Sequence, residues 1–172
     1  MRSIELTFDP DTEAAFRAEW AALQEAGLPN LGRHPDASNR PHLTLAAGAA
    51  VALTDGLRGA FEPHPASPLP VDLRVSGLVL FAASSGRFVL ARPVVMTRAL
   101  LALHRTVLRH APGAVALTQP DRWTPHVTLA RRIGAAQVAE ALEVLGEPPP
   151  AGQCVAARFW NGETKTLTAL AG

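Results

Sequence analysis

The amino-acid sequence predicts an α+β fold with two similar lobes. The hexapeptide Pro-His-Leu-Thr-Leu-Ala at 41–46 recurs as Pro-His-Val-Thr-Leu-Ala at 125–130, which is 84 residues later. The segments around each copy follow the same order of strand, helix, motif strand, helix and strand. Repetition at a fixed offset is the sign of a duplicated fold. A chain of 172 residues suits one domain, so we expect residues 1–172 to form a single domain with two lobes.

The first half begins with a strand and an amphipathic helix. Apolar residues alternate with polar ones over 2–8, which predicts a half-buried strand. Asp9 is a good N-cap, Pro10 is a good first helical residue, and Gly27 is a suitable helix end. Between Pro10 and Gly27 the apolar residues recur at helical spacing, so we expect a helix with one buried face there.

After the first motif copy, the sequence predicts a weak helix and a further strand. Thr54–Phe61 has helical character that its glycines weaken, and a proline-rich connector follows it. From Val71 onward apolar and polar residues alternate, and the run continues through Leu78 to Phe81. This pattern predicts strand structure from Val71 to Phe81.

The second half repeats this order around the second motif copy. Asn161-Gly162 is a dipeptide typical of a two-residue hairpin turn. The predicted elements of this half are a strand over 88–91, a helix over 94–110, the motif strand, a helix over 135–145 and a hairpin of strands 153–160 and 164–170.

The composition limits the classes of function. With 48% hydrophobic and 18% charged residues, the chain resembles an ordinary globular protein. Its net charge of +1 disfavours a large nonspecific nucleic-acid surface, so contact with nucleic acid should be local, as at a strand end or a nucleotide. No apolar run reaches membrane-spanning length and the N-terminus lacks a signal pattern, so we expect a cytoplasmic protein without membrane contact. The single cysteine, Cys154, cannot form an internal disulfide and is expected to be a buried thiol.

Common cofactor and metal motifs are missing from the sequence. It contains no His-Glu-x-x-His run and no compact cluster of histidine and aspartate, so we expect no metal site. It contains neither a Gly-x-x-x-x-Gly-Lys loop nor a Gly-x-Gly-x-x-Gly turn, so the use of nucleoside triphosphates or dinucleotide cofactors is not indicated. We therefore expect a function without a cofactor.

The repeated motif places a polar pair on one face of each strand. Alternate side chains of a strand share a face, so His42 and Thr44 point one way while the leucines between and after them enter the core. The same holds for His126 and Thr128. A single His-x-Thr on a strand is usually a solvated face, but two copies at matching places of a duplicated fold can meet in one cleft.

These residue types suit phosphoryl chemistry. Displacement at phosphorus needs a base on the attacking oxygen and an acid on the leaving oxygen. Histidine, with an unperturbed pKa of about 6.5, can supply either role near neutral pH. Threonine hydroxyls can donate hydrogen bonds to the non-bridging phosphate oxygens, where negative charge concentrates.

With its paired His-x-Thr strands and its size, the chain resembles the 2H phosphoesterase superfamily, the LigT-like proteins often labelled 2′-5′ RNA ligases. The resemblance covers essentially the whole chain. It implies a bilobed fold with antiparallel sheets and a central cleft, and metal-independent action on 2′,3′-cyclic phosphates or 2′-5′ linkages of RNA ends or nucleotides. By position, His42 and His126 become the acid–base pair, and Thr44 and Thr128 the residues that hold the phosphate.

Members of this superfamily often carry an arginine shortly after the second motif, and Arg131 occupies that place. Its parity is wrong for the face that carries His126, so a bulge or the strand end would have to redirect it. Arg132 has the right parity. For either arginine, the alternative is an ordinary solvent-exposed strand end.

Other residues have weaker claims. His104 is expected to be a packed structural histidine of the predicted helix. Trp123 and Phe81 can stack on a base, although aromatic residues at such places more often belong to the core or the cleft wall. The loop over 28–40, which holds Arg33, His34, Asn39 and Arg40, precedes the first motif and can cover the cleft, whereas His64 is expected to be an exposed loop residue.

Several alternatives stay open at this level. A noncatalytic module that binds a nucleotide or an RNA end would use the same cleft, but it would not need both an acid and a base. The sequence does not identify which histidine is the base, and it does not distinguish hydrolysis from ligation. We expect a monomer.

Overall fold

The computed structural model describes residues 1–33, 38–62 and 68–172; His34 and His64 therefore lie outside the described residues. The strands are β1 (Arg2–Phe8), β2 (Leu43–Gly48), β3 (Val71–Leu73), β4 (Val79–Ala82), β5 (Phe88–Pro93), β6 (His126–Ile133), β7 (Gly152–Asn161) and β8 (Thr166–Ala171). The helices are α1 (Pro10–Glu25), α2 (Asp55–Gly59), α3 (Arg98–Arg109) and α4 (Ala135–Val144).

The eight strands form one antiparallel sheet in the order β3-β7-β1-β2-β6-β5-β4, with β8 also paired to β7. This confirms the α+β class. We call β1, β2, β3, β7 and β8 the first lobe, and β4, β5 and β6 the second lobe. The lobes meet where β2 pairs with β6, at Leu43 and Val127. The last strands are exchanged between the halves of the sequence, since β7 pairs with β1 whereas β4 pairs with β5.

The expected strand from Val71 to Phe81 is wrong as a single element. Its two ends lie at opposite edges of the sheet, because β3 pairs with β7 while β4 pairs with β5. Between them the chain crosses from one lobe to the other, with an isolated bridge between Val75 and Val94. One apolar run thus supplies two strands, because each part pairs with a different strand.

Two further boundaries differ from the sequence prediction. The hairpin of β7 and β8 is present, but Asn161 pairs with Thr166, so its loop has four residues rather than two. Helix α3 begins at Arg98, after the N-cap Thr97, and not at 94. The reason is that β5 extends to Pro93, while the Thr97 side chain accepts a hydrogen bond of 3.2 Å from the backbone N–H of Leu100.

The helices and one face of the sheet form the hydrophobic core. Helix α1 begins at Pro10, and the carboxylate of Asp9 accepts a hydrogen bond of 2.9 Å from the backbone N–H of Thr12. Its buried face contacts β6, while α3 contacts β2 and β3. Leu43 and Val127 are fully buried in this core. The opposite face of the sheet is therefore the one that carries the polar residues of the motif strands.

The pairing of the two motif strands has two-fold character. Leu43 and Val127 pair with each other and occupy the same position in the two motif copies. Each motif strand also has a bulge at its second leucine position, because Leu45 and Leu129 fall between successive pairs with the neighbouring strand. Equivalent backbone irregularities at equivalent positions support the duplication that the hexapeptide indicates.

Among the described residues, no helix combines the length and the apolar character that crossing a membrane requires.

Candidate active site

The four polar residues of the motifs lie on one face of the sheet, around the point where the lobes meet. Extending the Leu43–Val127 register by one residue each way places His42 opposite Thr128, and Thr44 opposite His126. Directly opposed residues of antiparallel strands are about 4.5–5.5 Å apart, and diagonal ones about 7–8 Å. Each histidine therefore stands beside the threonine of the other motif, and the two histidines face each other diagonally.

The two imidazoles are oriented in the same way. Nδ1 of His42 lies 2.8 Å from the backbone carbonyl oxygen of Arg40, and Nδ1 of His126 lies 2.8 Å from that of Thr124. A carbonyl oxygen only accepts hydrogen bonds, so we assign the Nδ1 proton to both rings. This leaves Nε2 of each ring to exchange protons with a bound molecule.

Indole N–H groups fix the backbone of both threonines from the core side. Trp123 Nε1 donates to the carbonyl oxygen of Thr44 at 3.0 Å, and Trp20 Nε1 donates to that of Thr128 at 3.2 Å. Each tryptophan belongs to one half of the sequence and holds the motif of the other half. Trp123 is buried and stacks on His104, with ring centroids 3.7 Å apart, so Trp123 is a core residue and does not stack on a base in the cleft.

His104 is the packed structural histidine that the sequence predicts. It is fully buried, and its Nε2 lies 2.9 Å from the carbonyl oxygen of Thr118. Burial holds the pKa of His104 below its usual value, because the charged form would lose its hydration.

A cleft of about 360 Å³ opens beside the first motif. The bulge at Leu129 reverses the parity of β6, so that Arg131 pairs with Val89 and lines the cleft. Arg132, which has the right parity by simple counting, lies at a second irregularity with a φ of 60°. The lining residues are Met1, Ser3, Glu5, Leu31, Ser38, Asn39, Arg40, His42, Thr44, Ala47, Arg131, Arg158 and Trp160. Of the predicted site residues, this cleft brings together His42, Thr44 and Arg131, while His126 and Thr128 stand on the adjoining strand.

Glu5 is a residue of the site that sequence reasoning missed. Its side chain is buried, and its carboxylate Oε1 lies 3.8 Å from Nε2 of His42. Arg158 Nε donates to Oε2 at 2.8 Å, and the hydroxyl of Ser3 donates to Oε1 at 2.6 Å. Burial by itself raises the pKa of Glu5, but the charges of His42 and Arg158, with these hydrogen bonds, outweigh it and keep the pKa below its usual value. Glu5 is therefore an anion beside the first motif.

His126 has a different environment. It is half-buried against Phe81, with ring centroids 4.6 Å apart. Burial is the main reason why the pKa of His126 lies below its usual value, and the positive charges of His42 and Arg131 lower it further. The second imidazole is therefore biased toward its neutral form.

Comparison with protein families identifies the superfamily of the chain. A family model described as the 2′-5′ RNA ligase superfamily matches residues 10–165. The chain belongs to the 2′-5′ RNA ligase superfamily. The resemblance to 2H phosphoesterases that the motifs indicate is thereby confirmed. No curated protein matches the chain by sequence.

Two solved structures share this fold at low sequence identity. E. coli LigT, in a complex with 3′-AMP, aligns with a TM-score of 0.55 and 16% identity, over 98% of this chain and 92% of LigT. Usb1 of Kluyveromyces marxianus, with uridine monophosphate, aligns with a TM-score of 0.54 and 11% identity, over 99% of this chain and 97% of Usb1. At these identities the likeness shows the shared fold.

The single cysteine, Cys154, is not among the residues that line the cleft. Burial raises the pKa of the Cys154 thiol to about 12, and the nearby charge of Asp9 acts in the same direction. Cys154 is therefore a poor source of thiolate near neutral pH. In the described ranges 1–33, 38–62 and 68–172, no group of three or more histidine, cysteine, aspartate or glutamate side chains is arranged to hold a metal ion.

Proposed function

We propose that this protein is a metal-independent phosphodiesterase that acts on 2′,3′-cyclic phosphate ends of RNA or nucleotides, or on 2′-5′ linkages. His42 and His126 supply acid–base catalysis. The observation that carries the proposal is the antiparallel pairing at Leu43 and Val127, which sets the two His-x-Thr pairs around one point of the sheet. A phosphate bound at that point would have one histidine on each side of it.

The remaining polar groups suit a phosphate at this point. Thr44 and Thr128 lie on the same face as the histidines, and their hydroxyls can donate to the non-bridging oxygens. The bulge in β6 directs Arg131 into the cleft. Its guanidinium can pair there with the negative charge of the phosphate. The nucleotides bound by the related structures, 3′-AMP in LigT and uridine monophosphate in Usb1, support a nucleotide or an RNA end as the substrate.

The reaction on a cyclic phosphate balances with these residues alone. One histidine removes a proton from water as the water oxygen bonds to phosphorus. The bond from phosphorus to one ribose oxygen breaks, and the second histidine gives its proton to that oxygen. The product is a phosphomonoester, and solvent restores both histidines to their starting protonation states.

A turnover assay tests the proposal. Purified protein is incubated with 2′,3′-cyclic nucleotides, with RNA that ends in a cyclic phosphate, and with a 2′-5′-linked dinucleotide, with and without a chelator. We expect chelator-resistant turnover that is absent from the His42→Ala/His126→Ala protein prepared in parallel. Activity that is lost with chelator and restored by a divalent ion would overturn the metal-independent mechanism. Binding without turnover on any substrate would instead identify a noncatalytic nucleotide- or RNA-end-binding module.

We propose further that residues 1–172 form one 2H phosphoesterase-like domain that works as a monomer in the cytoplasm. The exchange of β4 and β7 between the sequence halves supports one cooperative unit, because neither lobe is completed by its own half. A single thermal unfolding transition, with the monomer mass in light scattering, is the expected result. Two separate transitions, or a dimer mass, would contradict it.

A further inference from the structure

We propose that the first lobe holds the nucleobase of the bound nucleotide, stacked on the indole ring of Trp160. This inference rests on the proposed function and deepens it, because it assigns a place to the part of the substrate that carries no phosphate. It begins from a difference between two positions that the two-fold relation of the lobes makes equivalent.

Trp160 lies two strands away from the first motif strand, in direct register with it. Ala47 on β2 pairs with Ser3 on β1, and Ser3 pairs in turn with Trp160 on β7. All three residues line the cleft. They form a row across the first lobe that begins five residues after the first histidine of the motifs and ends at an aromatic ring.

The second lobe has the same row, and it also ends at an aromatic ring. Arg131, which follows Ala47 by the repeat offset of 84 residues, pairs with Val89 on β5, and Val89 pairs with Phe81 on β4. The ring of Phe81 packs on His126, with ring centroids 4.6 Å apart. In the second lobe, the protein's own aromatic side chain thus occupies the space beside the histidine.

In the first lobe, the equivalent space is open and forms the cleft. Ser3 and Ala47 stand where the second lobe has the larger Val89 and Arg131. The half-buried Trp160 lines the resulting cleft of about 360 Å³ at the end of the row. A cavity of this volume is in the range of small-molecule sites, and a floor of small side chains with an aromatic wall suits a flat ring.

The position of this wall suits a nucleoside whose phosphate lies between the motif strands. Neighbouring strands are about 4.8 Å apart, so β7 lies about 10 Å from β2 across β1. A ribose and base extending from the phosphate over β2 and β1 would bring the base to the indole of Trp160. Stacking requires only the π-face that every base has, so this site should accept each of the four bases.

The strand that carries Trp160 is held on both sides of the indole. After it, the backbone N–H of Gly162 donates to the carbonyl oxygen of Met1 at 3.0 Å. Before it, Arg158 Nε donates to the carboxylate of Glu5 at 2.8 Å. A wall that is already fixed loses little conformational freedom when a ligand binds, so most of the stacking energy remains available for affinity.

The test compares ligands that differ only in having a base. Affinities of the full-length protein for 3′-AMP and for ribose 3-phosphate are measured by calorimetry, and KM is measured for the corresponding cyclic phosphates. The wild type should bind the nucleotide about 5- to 150-fold more tightly, which is the range for stacking one base on an aromatic side chain. The ratio of the two affinities is the readout, because it cancels effects on the phosphate.

Two substitutions at Trp160 separate stacking from a structural role of the cleft wall. Trp160→Leu should bring the ratio close to one, whereas Trp160→Phe, which keeps a ring, should retain most of it. Both variants keep an apolar side chain on β7, so a wall without a stacking role would give the same ratio in both. Circular dichroism checks that each variant is folded.

Tryptophan fluorescence gives an independent readout of the same contact. Trp20 and Trp123 are buried in the core, so quenching by 3′-AMP should come from Trp160. Quenching should therefore disappear in Trp160→Phe although the nucleotide still binds. Quenching that persists in this variant would place the base elsewhere.

Phe81→Leu is the matched control, since it makes a similar change at the equivalent position of the second lobe. Phe81 packs on His126, so this variant should keep the wild-type ratio of the two affinities even where its rate changes. A ratio that falls in Phe81→Leu and stays unchanged in Trp160→Leu would place the base in the second lobe and overturn the inference.

The outcomes separate this inference from the proposed function. A wild type that does not prefer 3′-AMP to ribose 3-phosphate, or equal ratios in the wild type and Trp160→Leu, would overturn the inference while turnover persists. Absence of turnover on every substrate would overturn the proposed phosphodiesterase activity. The binding measurements need no turnover, so they would still decide whether a base stacks on Trp160.

Discussion

The buried Glu5 of β1 pairs with Thr44 of the first motif strand, whereas Ala91 of β5 pairs with Thr128 of the second, and Phe81 packs on His126. The charges also differ at the position five residues after each histidine, where the first motif has Ala47 and the second has Arg131. Both of these residues line the cleft, because each follows an equivalent bulge. One backbone arrangement therefore presents an anion next to His42 and a cation next to His126.

This difference separates what the duplication supplies from what individual side chains supply. The repeat gives two imidazoles that each make an Nδ1 hydrogen bond to a backbone carbonyl oxygen. Each imidazole also stands beside the threonine of the other motif. Two identical histidines would titrate alike and would compete for the same role. Where the surroundings make the pKa values of two titratable groups differ, one group can act as the acid and the other as the base. Here a buried carboxylate, that of Glu5, lies 3.8 Å from one ring, while burial and Arg131 oppose charge on the other.

The largest expected effect comes from removing either histidine. His42→Ala and His126→Ala should each lower turnover of a 2′,3′-cyclic nucleotide by on the order of 10²–10⁴, the range for a positioned acid or base. The double variant should lose less than the product of the two, because the residues act as a unit. Rate profiles from pH 4 to 10 should be bell-shaped for the wild type, and each single variant should lose one limb. Near-wild-type turnover in either single variant would contradict the two-histidine mechanism.

The threonines test the symmetric part of the comparison. Thr44→Ala and Thr128→Ala should each reduce kcat by about 10–100-fold, since each removes one hydrogen bond to a charged group while the proton transfers remain. Thr44→Ser and Thr128→Ser keep the hydroxyl and serve as matched controls. Steady-state kinetics of the four variants should give similar losses in both lobes. A loss confined to one lobe would show that the phosphate does not lie on the two-fold axis.

Phe81 tests the burial of the second histidine. Phe81→Ala exposes the ring of His126 to water, and burial is the main cause of its lowered pKa. The pKa of His126 should therefore rise toward about 6.5, so that the acid limb of the rate profile moves to higher pH. Phe81→Leu, which keeps an apolar cover, should move the limb less. An acid limb that stays in place in both variants would exclude Phe81 as the cover of His126.

The smallest expected effect is at Arg131. Arg131→Gln removes a cation that lowers the pKa of His126, so the acid limb should move to higher pH by less than about one unit. KM for the cyclic nucleotide should rise, because a guanidinium is lost from the cleft. Arg132→Gln, one residue further along β6, is the matched control. Equal effects of the two variants would show that the bulge does not set the role of Arg131.

The sequence is sufficient to predict the class of the fold, the motif strands and the face that carries the two polar pairs. These features depend on local periodicity and on repetition, both of which are visible in the residues themselves. The parity of Arg131 depends on the bulge at Leu129, and periodicity alone does not reveal a bulge. The division of 71–81 into two strands depends on pairing with β7 and β5, which belong to distant parts of the chain.

Glu5 illustrates the same limit at the site. In the sequence it is one polar residue of an alternating strand, and such residues usually face solvent. In the structure Ser3, Glu5 and Thr7 are all buried, because β1 lies inside the sheet and its polar face forms part of the cleft. Its partner Arg158 is 153 residues away. The available signal was a lone carboxylate on the cleft side of β1, which becomes informative only when β2 and β7 are known to be its neighbours.

The two-fold relation between Leu43 and Val127 has a consequence for proteins assembled from separate chains. In a homodimer of half-length chains with this axis, every substitution would appear on both sides, so a carboxylate beside one histidine would stand beside the other as well. Such a dimer could exchange its last strands as β4 and β7 are exchanged here, yet it would hold two equal imidazoles. When the two halves are joined in one polypeptide, a substitution on one side of the axis does not appear on the other side. Covalent continuity is thus what permits Glu5 and Arg131 to occupy opposite sides of the same cleft.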